Sequence, residues 1–126
     1  MSYGEPLIQD PAFKAKIAAA ELELSALEYT ELRTLAKDSA GKGPGPESSL
    51  LKIKGTDIQQ AVTELAMEAV GYYANPHRGT TLSNEYVGPD YATNLSGTYF
   101  NFRKASIYGG SNEIQRNIIA KMVLGL

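Results

Sequence analysis

The chain is predicted to be all-α, an antiparallel (up-and-down) helical bundle. Three observations predict it. Apolar residues recur at three- and four-residue steps in long stretches. Helix start and stop residues bound those stretches. No alternating strand pattern of any length occurs. The 126 residues give room for one domain.

Asp10-Pro11 opens the first helix, because Asp can cap free amides and Pro is tolerated at the first helical position. Phe13, Ile17, Ala20, Leu24 and Leu27 then form a stripe, which Ala18, Leu22, Tyr29 and Leu32 widen. A helix over about 10–37 is expected, with two apolar flanks that ask for more than one neighbour.

The run Ala40-Gly41-Lys42-Gly43-Pro44-Gly45-Pro46 breaks it. The run is no phosphate loop: the G-x-x-x-x-G-K-[ST] spacing is absent and no strand precedes it. A second helix over 46–71 starts with Pro46 and Glu47 and ends at Gly71. Its expected apolar face holds Leu51, Ile58, Ala61, Val62, Leu65, Ala66, Ala69 and Val70. Gly55 costs about 1 kcal/mol against alanine there, which suggests a close helix crossing or simple tolerance.

Residues 75–93 read as irregular, a loop of roughly 18 residues and long for a compact domain. A short helix over 93–104 follows, with Leu95, Tyr99 and Phe102 on one side. The last helix, 111–124, is expected to bury Ile114, Ile118, Ile119, Met122 and Val123.

Composition excludes several functions. A net charge of −2 gives nucleic-acid binding no electrostatic support. Without cysteine there is no disulfide, thiol catalysis or cysteine-ligated metal. No apolar run approaches the roughly 20 residues that span a bilayer. The first residues lack the pattern of a secretory signal. A cytoplasmic location is the resulting expectation.

The segment Gly109-Gly110-Ser111-Asn112-Glu113 is the strongest chemical feature. A helix N-terminus presents unpaired amides and the positive end of its dipole. Glycines let a ligand backbone approach closely. A pyrophosphate or a ribityl chain would suit this spot. The plainer alternative is a capping serine after a glycine turn.

The string Ser106-Ile107-Tyr108-Gly109-Gly110-Ser111-Asn112-Glu113-Ile114-Gln115-Arg116-Asn117-Ile118-Ile119-Ala120-Lys121-Met122-Val123-Leu124-Gly125-Leu126 resembles the C-terminal signature of acyl-CoA dehydrogenases. Leu65 to Gly71 resembles, more loosely, a helix end of the same domain. The resemblance implies an acyl-CoA dehydrogenase C-terminal-domain-like bundle, expected to lack its first helix. The family's enzymes bind FAD, oxidise acyl-CoA to 2,3-enoyl-CoA, pass electrons to an electron-transfer flavoprotein and assemble as dimers or tetramers. It further implies cofactor contacts at Gly110, Ser111, Glu113, Gly71 and Glu68. Tyr72 stands where the family often has a second glycine, and Glu68 where glutamine is common.

In many members a glutamate follows the tyrosine and serves as catalytic base. Gly109 occupies that place, so no catalytic residue is expected in this chain. In some branches the base lies on an earlier helix of the bundle, and the chain is expected to begin after it. The expectation is a fragment, inactive alone, that contributes to an FAD site and to a homo- or hetero-oligomer interface. The alternative is a non-catalytic helical interaction or partner subunit.

The remaining polar groups read more plainly. His77 is a lone loop histidine, and no Glu-x-x-His metal pattern occurs. Glu21, Glu23, Glu28 and Glu31 read as a solvated face. Tyr72, Tyr73, Tyr86, Tyr91, Tyr99 and Tyr108 could pack the loop, line an acyl pocket or meet a partner. Arg103-Lys104 could attract CoA phosphates or simply end a helix.

Overall fold

The computed structural model describes residues 5–41, 43, 45–76 and 88–126. His77, Tyr86 and the middle of the long loop lie outside the described residues. Among the described residues the α-helices are α1 (Pro11–Ser39), α2 (Glu47–Val70), α3 (Leu95–Phe102) and α4 (Asn112–Leu124). No strand occurs among the described residues. The bundle is all-α, and α2 is its hub, packing against each of the other three helices.

Local chemistry sets the ends of these helices. Asp10 caps α1, accepting from Ala12 N at 2.8 Å and Phe13 N at 3.1 Å, with Pro11 at the first position. Glu47 occupies the first turn of α2, where a carboxylate complements the dipole, and it pairs with Lys37 at the end of α1. The stop at Gly71 needs glycine: its φ of 61° and ψ of −131° suit no residue with a Cβ.

Helix α3 is shorter than the 93–104 read from sequence. Asn94 sits at φ 65°, outside helical space, so the helix starts at Leu95. From Arg103 the backbone tightens into a 3₁₀ turn, Arg103–Ser106.

The chain after α2 folds back along it. Val70, Ala74 and Ala92 form a small core flanked by Met67 and Leu95. Halfway back, Gln60 Nε2 donates to the carbonyls of Phe102 and Arg103, both at 3.3 Å. Arg103 Nη2 answers by donating to Gln60 O at 2.9 Å and Thr63 Oγ1 at 3.1 Å. Asn112 then reaches Lys52, near the start of α2.

Burial departs from the sequence pattern. Phe13, Ile53 and Ile58 are buried, and Ile17, Ala20 and Leu27 are half-buried between α1 and α2. The second flank of α1 is open, with Leu22 72%, Tyr29 70% and Leu32 54% exposed. Leu24 and Val62 are also exposed. On α4 the expected buried stripe is largely outside: Ile114, Met122 and Val123 are exposed, and only Asn112 of that helix is buried. The physical reason is geometric. One helix face can pack on α2, and no second layer among the described residues covers the opposite faces. Accessible surface is 9180 Å² for 13.6 kDa, against roughly 6,600 Å² for a compact monomer of that mass.

Candidate functional site

The candidate site is the turn that leads into α4. The 3₁₀ turn closes with the amides of Ile107 and Tyr108 on Lys104 O, at 2.9 and 3.3 Å. Gly109 and Gly110 follow at φ 70° and 82°, consecutive left-handed residues that glycine adopts without strain. Ser111 is the N-cap of α4, its Oγ accepting from Ile114 N at 3.4 Å and its carbonyl from Gln115 N at 2.9 Å.

A Cβ built on Gly109 would meet nothing within 4 Å, so the backbone there is open to a ligand. A Cβ on Gly110 would lie 2.7 Å from Gln115 Nε2. That same nitrogen donates to Gly109 O at 3.1 Å. Gln115 thus covers one side of the turn and leaves Gly109 bare on the other.

Glu113, in the first turn of α4, titrates below the usual 4.5 of a glutamate. Its own backbone N–H is the largest cause, followed by the Ser111 hydroxyl, with the charges of Arg116 and Lys52 adding to the effect. The depressed pKa makes Glu113 a weak proton acceptor. As an ionised carboxylate it accepts hydrogen bonds only, which suits ligand hydroxyls better than phosphate oxygens.

Beneath the turn lies a polar cluster that sequence reasoning did not identify. Asn112 is buried, and its Oδ1 accepts from Lys52 Nζ at 2.7 Å. Lys52 Nζ also donates to Ser106 O at 3.3 Å. Asn112 Nδ2 donates to Thr56 Oγ1 at 3.1 Å, and the Thr56 hydroxyl donates to Ile53 O at 2.8 Å. The only sequence signal was Lys52 and Thr56 one turn apart, and nothing local says which helix that face meets.

The fold brings Gly110, Ser111 and Glu113 together and leaves Glu68 and Gly71 elsewhere. Thr56 packs under the turn through Asn112, and twelve residues of α2 separate it from Glu68. At 1.5 Å per residue the two groups lie about 18 Å apart along the helix. Glu68 is engaged there by Lys16 of α1, whose Nζ donates to Oε1 at 2.6 Å and Oε2 at 2.8 Å. Both border a groove of about 440 Å³ between α1 and α2, also lined by Ala19, Ala20, Ile58, Ala61 and Leu65.

Arg103 is committed to structure. Besides its bonds to Gln60 and Thr63, its guanidinium lies 4.3 Å from the Tyr99 ring centroid. Lys104 is exposed, as are Tyr72, Tyr73, Tyr91 and Tyr108. No group of three or more metal-ligating side chains occurs among the described residues. Nor is any described helix long and apolar enough to cross a membrane.

Residues 2–124 match the family described as acyl-CoA dehydrogenase, C-terminal domain. Acyl-CoA dehydrogenase IpdE1 of Mycobacterium tuberculosis is 34% identical over 118 residues, which cover 93% of this chain and 27% of that protein. Acyl-CoA dehydrogenase IpdE1 of Mycolicibacterium smegmatis is 31% identical over 117 residues, covering 93% of this chain and 26% of the relative. The chain therefore spans about a quarter of the length of these curated relatives. No solved structure matches it significantly.

Proposed function

The chain belongs to the acyl-CoA dehydrogenase family, as its C-terminal domain, and from that premise we propose that it is the C-terminal part of a flavoprotein that oxidises an acyl-CoA to its 2,3-enoyl-CoA. Its share of the work is to hold part of an FAD site and to form subunit contacts. Alone it is inactive.

The observation that carries this reading is the Gly109–Glu113 turn. Its donor set fits a flavin cofactor: an open glycine backbone, the positive end of α4 and an ionised acceptor for sugar or ribityl hydroxyls. FAD held there would supply the acceptor for the β hydrogen, which leaves the substrate as hydride. Ser111 and Glu113 orient the cofactor, and Gly110 admits it to the backbone. Glu68, about 18 Å away along α2, and Gly71 just past its end would serve a different part of an extended cofactor or a second cofactor site. Gly109 offers no proton acceptor, so the base is expected outside this chain. Acyl-CoA, an electron-transfer flavoprotein and a homo- or hetero-oligomeric assembly in the cytoplasm complete the proposal. The excess surface of this chain supports the assembly, since exposed apolar faces of this extent are ordinarily covered.

The test is an FAD titration of the assembled flavoprotein as wild type, Ser111→Ala and Glu113→Ala. Each substitution is expected to weaken binding about tenfold, the equivalent of ~1.4 kcal/mol. Unchanged affinity in both would remove the site from Ser111 and Glu113.

Gly109 also favours a second reading, a non-catalytic partner subunit that pairs with a competent family member. In that case a full-length family protein is retained on a column carrying this chain, and no flavin chemistry depends on residues 109–113.

A further inference from the structure

We propose that Lys52 is a positioning residue that clamps the glycine turn from below and so fixes the direction in which the α4 start faces. The proposal rests on the flavin reading of that turn. One ammonium group grips both of the turn's ends: Ser106 O where the 3₁₀ turn finishes, at 3.3 Å, and Asn112 Oδ1 where α4 begins, at 2.7 Å. Residues 107–111 span the gap between these anchors, and Gly109 and Gly110 are their most deformable members.

The choice of a cation here is informative. A positive charge near a helix N-terminus opposes the helix dipole, so the dipole does not account for a lysine here. A neutral donor could also satisfy Asn112 in a purely structural role, with a weaker bond. Lys52 gives instead a charge-assisted bond to the buried Asn112 amide oxygen, with Thr56 holding the other side of that amide at 3.1 Å. It also adds to the positive potential under the turn, and Lys52 is among the charges that lower the Glu113 pKa. Rigid amides and concentrated positive charge at one point suit a ligand that is electron-rich or gains negative charge.

The experiment is peptide-resolved amide exchange on the full chain, with FAD titration of the assembled flavoprotein in parallel, for Lys52→Met, Lys52→Arg and the wild type. Lys52→Met keeps the stem and removes the charge. Exchange over 107–114 is expected to quicken at least tenfold, with 58–70 unchanged, and FAD affinity to fall about tenfold. Lys52→Arg is expected to restore both to within threefold, which a merely space-filling role would not require. Exchange over 107–114 within twofold of wild type in Lys52→Met would overturn the clamp. Should Lys52→Met unfold, Asn112→Ala decides, because it removes the anchor and leaves Lys52 in place. A turn that stays protected in Asn112→Ala overturns the proposal, and one that loosens supports it. If the wild type takes up no FAD, the functional reading falls, and the exchange data alone judge the clamp.

Discussion

Gln115 donates from Nε2 to the carbonyl oxygen of Gly109 across 3.1 Å, tying the second turn of α4 back to the glycines that precede the helix. A Cβ at Gly110 would come within 2.7 Å of the same nitrogen. The bond and the missing side chain therefore share one small volume. A methyl group at 110 would meet the movable end of Gln115 rather than backbone.

Gly110→Ala is expected to cost about 1–2 kcal/mol for its left-handed φ and to swing Gln115 off Gly109 as well. Gln115→Ala alone should cost roughly 0.5–1 kcal/mol for one exposed hydrogen bond. The double variant should then lose less than the sum, because the bond can be lost only once. Denaturant unfolding of the four proteins measures this. Full additivity would show that Gln115 does not occupy that position in solution.

Gly55 carries an expectation of opposite sign. Its Cβ would lie 3.9 Å from Leu27 Cδ2, an ordinary contact, and its backbone is helical. The close crossing that a mid-helix glycine suggests is therefore not required here. Gly55→Ala should stabilise the protein by about 0.5–1 kcal/mol, read as a higher midpoint in urea. A lower midpoint would mean that α1 and α2 approach more closely than this.

These two glycines illustrate what the sequence could and could not tell. Helices are legible because their signals are local: Asp10-Pro11 starts one, Gly71 stops another and Ser111 caps a third. The site's outline was legible for the same reason, since Gly109, Gly110, Ser111 and Glu113 are neighbours in the chain. Pairings between helices were not. Nothing near Lys52 says that it meets Asn112, sixty residues on. Nor does the apolar spacing of Ile114, Met122 and Leu22 say whether their cover lies within this chain or beyond it. The 3.6-residue period marks a face that is to be buried, and leaves its partner unspecified.

Titration behaviour follows from the groups around each charge. The folded-state pKa of Glu113 lies below 4.5, through its own N–H first and then Ser111. Such a depressed acid contributes stability above its unfolded pKa, and the contribution is lost as pH falls through the folded value. The window is thus acidic, below about 4.5. Lys54 runs the other way: Glu23, at 2.8 Å, raises it above 10.5, so its contribution holds below that value and fades at higher pH. A carbon-detected NMR titration should place the Glu113 midpoint under 4.5, and Ser111→Ala should move it up. A midpoint at the ordinary value in the wild type would contradict the Ser111 contact.

Gly109 allows the most direct chemical test. The space where its side chain would start is empty to 4 Å, so the first carbon of a glutamate side chain enters without a clash. Its φ of 70° charges that glutamate roughly 1–2 kcal/mol of strain, affordable if the rest of the fold is intact. If position 109 faces the substrate's α carbon in the assembled flavoprotein, Gly109→Glu places a proton acceptor there, while Gly109→Gln has the same shape and strain with no such capacity. Anaerobic flavin bleaching on adding an acyl-CoA should be at least tenfold faster for the glutamate variant than for the glutamine variant. Equal rates in the two would mean that position 109 does not face the reacting carbon. Rapid bleaching in the wild type that both variants slow alike would place the working base on another element, with the bare glycine kept to leave that base its room.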